Sequence, residues 1–238
     1  MPLDHSRLPS NVSTEFRVPS ELIARDDVAI PEYYAWQAKA NPNYPLFVYQ
    51  DGDQLGYVTY AQANRAMDRV ARYVTSVVQS SKRGHGGERP VVALFANAGT
   101  CSTALSCYTS QSKAHRYPRT DTITYFCTAI GVMRTGYTVF LVSTRNAAAA
   151  ISDMFKRTGT GHVILSHDPF LRGTAQEALA DVASAGQDVV ELEMPSYQDL
   201  FAEQLEASSP YETQVDLPKS YDVDAVGVIM HSSGEFCQ

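Results

Sequence analysis

The spacing of apolar residues along the chain switches repeatedly between helical and extended periods. Residues 1–27 are polar with no sustained period and read as an irregular lead-in. A first helix is expected over Pro31–Ala40, with Tyr33, Tyr34 and Trp36 as packing residues, ended by Asn41-Pro42-Asn43-Tyr44-Pro45. Leu46–Tyr49 and Tyr57–Thr59 read as the strands of a hairpin turning at Asp51-Gly52-Asp53. Thr59 then caps a long helix with Ala63, Ala66, Met67, Val70, Tyr73, Val74 and Val77 on one stripe. Ser80–Gly87 reads as a flexible basic turn.

Beyond it, strands and helices alternate. Strands are expected at Pro90–Ala96, Tyr137–Val142, His162–Ser166, Asp188–Glu193 and Asp224–Met230. Helices are expected from Asp121 to Thr135, from an Asn146 cap through Phe155, over Leu171–Ser184 and, more briefly, over Tyr197–Glu206. Gly136 and Gly159 are placed to close two of them. Residues 207–222 read as a surface loop. Strands separated by helices of this length imply parallel crossovers. The expected fold class is therefore α/β, a mostly parallel sheet with helices on both faces. Such sheets bind ligands at the carboxyl ends of their strands.

Composition narrows the functional classes. With 238 residues, 44% of them hydrophobic, the chain has room for one large α/β domain or two small ones. Its 26 acidic against 19 basic residues, a net charge of −7, disfavour nucleic acid as a partner. No apolar run approaches the ~18 residues of a membrane span. Met1–His5 has neither a basic nor an apolar signal region, so neither membrane nor secretion is expected. Cys101, Cys107, Cys127 and Cys237 show no metal or CxxC spacing, which fits a reducing cytoplasm. The sequon Asn11-Val12-Ser13 then reads as chance. His162 and His167 bracket a strand on opposite sides and read as ordinary core or surface histidines. No Ser/His/Asp nucleophile arrangement is present, and no glycine fingerprint of a dinucleotide fold follows the early strands.

The most informative stretch is Val226-Gly227-Val228-Ile229-Met230 followed by His231-Ser232-Ser233-Gly234. It reads as a buried strand entering a small-residue turn whose backbone N–H groups could cradle phosphate. This run resembles the strand and phosphate-loop start of AMP-forming adenylating enzymes, the family of acyl-CoA synthetases, luciferases and nonribosomal-peptide adenylation domains. The stretches Asp121–Phe126, Gly136–Asn146 and Thr59–Gln62 also resemble that family's N-terminal subdomain. The wording Met230–Gly234 is nearest to fungal adenylate-forming reductases that resemble α-aminoadipate reductase.

The resemblance covers residues 28–98 and 121–234 and makes 28–238 a truncated adenylation domain. It implies ATP-dependent activation of a carboxylic acid to acyl-AMP, with ATP and Mg²⁺ as the family's cofactors. The carboxylic acid and a phosphopantetheinyl carrier domain would be its partners. Ser232, Ser233 and Gly234 would be the remnant of the ATP phosphate loop, and His231 would flank the acyl pocket. From the residues alone, His231 reads equally well as a partly buried histidine at a strand end. The family's Mg²⁺-placing Glu, ribose-binding Asp, acyl pocket and lid Lys are expected beyond position 238. Glu235 also sets a negative charge where phosphate would sit. The chain alone is thus expected to bind ATP weakly and to be inactive. The alternative function is a noncatalytic α/β binding or interaction domain.

Residues 99–120 fit nothing around them. The stretch has no acidic residue and no apolar period, and it separates a strand from its crossover helix, where connections usually take about 2–6 residues. Gly99-Thr100-Cys101 can be encoded GGT ACG TGT, which contains a splice donor, and Thr120-Asp121 can be encoded ACA GAC, which contains an acceptor. Gly234-Glu235-Phe236 can likewise be encoded GGT GAG TTT, another donor-like run. Both stretches are therefore expected to be retained intron sequence. Transcript sequencing should find a mature message lacking the codons of the first interval; a mature message that keeps both intervals would refute this reading.

Overall fold

The computed structural model describes residues 12–51, 54–81, 89–97, 120–203 and 209–231. A short helix, α1 (Ser20–Ile23), interrupts the lead-in that the sequence suggested was irregular. Helix α2 (Ile30–Ala40) follows, with Pro31 in its first turn and the Glu32 carboxylate accepting the Ala29 N–H at 3.0 Å. Strands β1 (Pro45–Asp51) and β2 (Gln54–Thr59) pair antiparallel from Pro45↔Thr59 to Asp51↔Gln54, with a register shift between Pro45 and Phe47. The following helix, α3 (Tyr60–Ser80), opens with the expected cap: Thr59 Oγ1 accepts the Gln62 N–H and Gln62 Oε1 accepts the Thr59 N–H.

The remaining strands are β3 (Val91–Phe95), β4 (Thr138–Leu141), β5 (His162–Leu165), β6 (Val190–Glu193) and β7 (Val228–Met230). They form one parallel sheet in the order β6-β5-β3-β4-β7. Helices α4 (Thr120–Arg134), α5 (Ala148–Thr158) and α6 (Pro169–Ser184) make the crossovers, and α7 (Tyr197–Phe201) lies after β6. The expected α/β class, with helices on both faces of a parallel sheet, is the observed one.

The period-two alternation of the strands divides the core. Val92, Leu94 and Ala96 pack with α3 and α4 on one face, whereas Ala93 and Phe95 pack with α5 and α6 on the other. Both sets are buried, as a strand covered on both faces requires. The α3 stripe is seen as read, with Ala63, Ala66, Met67, Val70 and Val74 fully covered. The β1–β2 hairpin joins the α4 side through an edge-on contact of Phe47 with Phe126 at 5.3 Å. Gly136 and Gly159 follow α4 and α5 with φ of +79° and +65°, the left-handed conformation that ends a helix cheaply only at glycine. Cys127 is buried in α4, and its burial pushes the thiol up to about 12, which makes it an inert core residue.

Several local expectations are corrected. α4 runs from Thr120 to Arg134, one residue earlier at each end than expected. Residues 99–119 lie outside the described residues, as do Lys82–Gly87 and the Gly52-Asp53 turn. The stretch read as surface loop contains a 3-10 turn, Pro210–Glu212, that buries Tyr211 against Tyr73 of α3 with ring centroids 5.1 Å apart. Arg69 of α3 fixes the same region. Its guanidinium donates to the Leu200 and Ala202 carbonyls at 2.9 and 2.8 Å and pairs with Glu212 at 3.2 Å. The last strand starts at Val228, four residues later than expected.

Helix α4 approaches α3 tightly at Gly131. A Cβ added at Gly131 would sit 2.5 Å from Val70 Cβ and 2.9 Å from the Met67 carbonyl oxygen. Gly131→Ala should therefore destabilise the fold by about 1–3 kcal/mol, through forced separation of the two helices. Urea unfolding followed by circular dichroism measures it; an unchanged midpoint would mean the helices part without cost.

Candidate functional site

The carboxyl ends of five parallel strands line one edge of the sheet. Asn97 follows β3, Ser143–Asn146 follow β4, Ser166–Asp168 follow β5, Met194 follows β6 and His231 follows β7. On the β5–β6 side the charged groups satisfy one another. Arg172 pairs with Glu193 and donates from Nε to the Ser166 carbonyl at 3.0 Å, while His167 Nδ1 lies 3.2 Å from Glu193. His162, the other histidine of that strand, is buried and meets Ser81 Oγ at 3.2 Å, so the two histidines do not converge.

The β4–β7 side is where the predicted site residues fall. β7 pairs with β4 through Val139↔Val228, Phe140↔Ile229 and Leu141↔Met230. The Val139 N–H donates to the Gly227 carbonyl at 3.0 Å, and Thr138 Oγ1 donates to the Val226 carbonyl at 2.6 Å. His231, half-buried, follows directly. Its Nε2 accepts the Ser143 N–H at 2.9 Å and lies 3.1 Å from Asn146 Nδ2. Its ring stands edge-on to Phe140, at 6.3 Å and 82°. An imidazole nitrogen that accepts a backbone N–H must present its lone pair, which assigns the ring proton to Nδ1. Ser232, Ser233 and Gly234 lie outside the described residues.

Asn146 is a correction. The sequence suggested it as the cap of α5, but the cap position is Ala147 and carries no side-chain bond. The Asn146 amide is turned to His231 instead. The Ser143–Asn146 turn escaped the sequence reading as part of the site, because its partner lies 85 positions away. The signal that could have pointed to it was the Ser-Thr-Arg-Asn run at a strand's carboxyl end.

Among the described residues, no group of three His, Cys, Asp or Glu side chains could hold a metal ion. No described helix is long and apolar enough to cross a membrane.

No protein-family model matches the chain. Its sequence is 27% identical over 221 residues to an adenylate-forming reductase of Heterobasidion annosum, covering 87% of this chain and 17% of that protein. It is 30% identical over 210 residues to an adenylate-forming reductase of Serpula lacrymans, covering 86% of this chain and 16% of that one. The chain thus spans only a small part of the curated relatives it matches. Among solved structures, the inhibitor-bound N-terminal domain of FACL13 from Mycobacterium tuberculosis superposes with a TM-score of 0.53 at 22% identity. That match covers 87% of this chain and 41% of the other. O-succinylbenzoate coenzyme A synthetase from Bacillus subtilis, in complex with ATP and magnesium, superposes at 0.51 with 13% identity, covering 84% and 40%. At these identities the structural likeness is one of fold.

Asn146→Asp separates the two roles of this residue. Asp would cap a helix as well as Asn, but its carboxylate cannot donate to His231 Nε2. The substitution should cost about 1 kcal/mol in urea unfolding. Unchanged or raised stability would return Asn146 to the helix cap.

Proposed function

We propose that this chain, which belongs to the AMP-forming adenylating family, supplies the N-terminal α/β portion of an ATP-dependent carboxylate-activating site and does not complete that site alone. The observation that carries the reading is the junction after β7. There the parallel strand β7 ends at the carboxyl edge of the sheet with His231 beside the Ser143–Asn146 turn, and Ser232-Ser233-Gly234 come next in the sequence. Small residues leaving a strand at this edge suit a phosphate cradle, since successive backbone N–H groups can converge on an anion without side chains in the way.

In the proposed reaction a carboxylate oxygen attacks the α-phosphorus of ATP, the bond to the β-phosphate oxygen breaks, and pyrophosphate leaves. The contribution of these residues is to bind and orient the phosphates through the loop. No described residue cluster fits Mg²⁺, so no step is assigned to a metal held here. Ser232, Ser233 and Gly234 are read as loop residues and His231 as the residue at the loop's root. The carboxylic acid, and a carrier domain that would take the acyl group, are read from the relatives named adenylate-forming reductases. Cytoplasmic location is part of the same reading.

ATP–pyrophosphate exchange with a panel of carboxylic acids tests it. The longest chain the gene expresses should show carboxylate-dependent exchange, and the 238-residue chain should show none, with little thermal shift on adding ATP and Mg²⁺. Carboxylate-dependent exchange by the 238-residue chain would overturn the claim that it is incomplete. Absence of exchange in any longer product would overturn the reaction.

A further inference from the structure

We propose that His231 is a positioning residue: its imidazole ends the β4–β7 ladder in place of a backbone carbonyl, and so fixes where β7 stops at the carboxyl edge of the sheet. This deepens the adenylating reading, since it concerns the root of the same loop, but its geometry stands without ATP.

The amides of β4 alternate between neighbours, as in any parallel strand. Thr138 N–H and Val142 N–H reach back to the Pro90 and Leu94 carbonyls on the β3 side, whereas Val139 N–H donates to Gly227 before β7. Even positions thus face β3 and odd positions face β7. Ser143 N–H is the next odd donor beyond Leu141, and a continuing ladder would give it a β7 backbone carbonyl. It donates to His231 Nε2 instead, at 2.9 Å. The side chain thereby supplies the last acceptor, and the main chain can turn out of the sheet without orphaning a half-buried amide.

Two further features hold the ring in this role. Phe140 stands against it edge-on, and Asn146 Nδ2 lies 3.1 Å from the same nitrogen and shares its lone pair with the Ser143 N–H. With its Nε2 committed to β4, His231 is not free to act on a carboxylate substrate through that nitrogen. Gln can present an oxygen near the position of Nε2. Phe keeps the ring face and presents no acceptor.

The 238-residue chain itself, labelled with ¹⁵N-histidine, tests the assignment by long-range ¹H–¹⁵N correlation at a pH where imidazole is neutral. The resonance lost in His231→Gln should show the proton on Nδ1; a proton on Nε2 overturns the proposal. Amide hydrogen exchange adds the rescue test. Ser143 should be protected in the wild type and in His231→Gln. It should exchange ~10-fold or more faster in His231→Phe, with Val139 and Val142 unchanged as reporters of an intact sheet. Unaltered Ser143 protection in His231→Phe would overturn the proposal. If His231→Phe does not fold, the wild-type tautomer and the His231→Gln exchange still decide. Neither readout uses nucleotide, so failure here and failure of the adenylation assay are separate results.

Discussion

β4 is hydrogen-bonded on both sides, and every amide it presents must find an acceptor once water is excluded. That requirement shapes the candidate site. On one side β3 meets it with a full run of carbonyls. On the other, β7 meets it with only three paired residues and then with a side chain. The arrangement lets a strand stop early at the sheet's carboxyl edge while leaving no buried donor unsatisfied. A loop that must bring its own N–H groups to an anion needs such an exit, because amides spent in a ladder cannot also bind phosphate.

The connection from β6 to β7 has to cross the sheet from one edge to the other. It does so over the α3–α4 face, held by the largely buried Arg69 side chain and by the main-chain carbonyl of Arg134. Arg69 takes the Leu200 and Ala202 carbonyls and Glu212. Arg134 pairs with Asp68 at 2.7 Å and donates to Asn64, while its own carbonyl accepts the Tyr221 hydroxyl at 3.1 Å. Each guanidinium spends several of its donors on protein acceptors, the condition under which burying a cation is tolerable. The Arg69–Glu212 pair specifies the path of the connection and the Arg134–Asp68 pair ties α4 to α3, more than either adds stability, since desolvation offsets much of their attraction.

Repetition made the larger elements legible. The α3 stripe recurs over about four turns, and the Thr59–Gln62 capping box and the glycines after α4 and α5 are local signals with local causes. The resemblance to adenylating enzymes rested on Val226–Gly234 together with Thr59–Gln62, Asp121–Phe126 and Gly136–Asn146, and the relatives found bear it out. What stayed hidden was decided by distant partners. Asn146 has the chemistry of a cap and the neighbours of a clasp, and only the return of β7 chooses between them. Tyr211 is one aromatic in a polar stretch, buried because Tyr73 and Arg69 wait on α3. His231 could be read either as ligand contact or as strand-end residue, and nothing in its immediate sequence states that its acceptor would be taken by Ser143.

The strand order also has a kinetic meaning. Among β3 to β6 the pairings span 28 positions between His162 and Val190, 47 between Val91 and Thr138 and 70 between Val92 and His162. β7 pairs instead with β4, across a separation of 88 positions at the Thr138–Val226 contact. Loop-closure entropy must be met there before the pairing returns anything. β7 is thus the strand whose pairing carries the largest loop-closure cost in the sheet. The candidate site at His231 and Ser143 therefore sits on the seam of the sheet that the chain closes at the greatest separation in sequence.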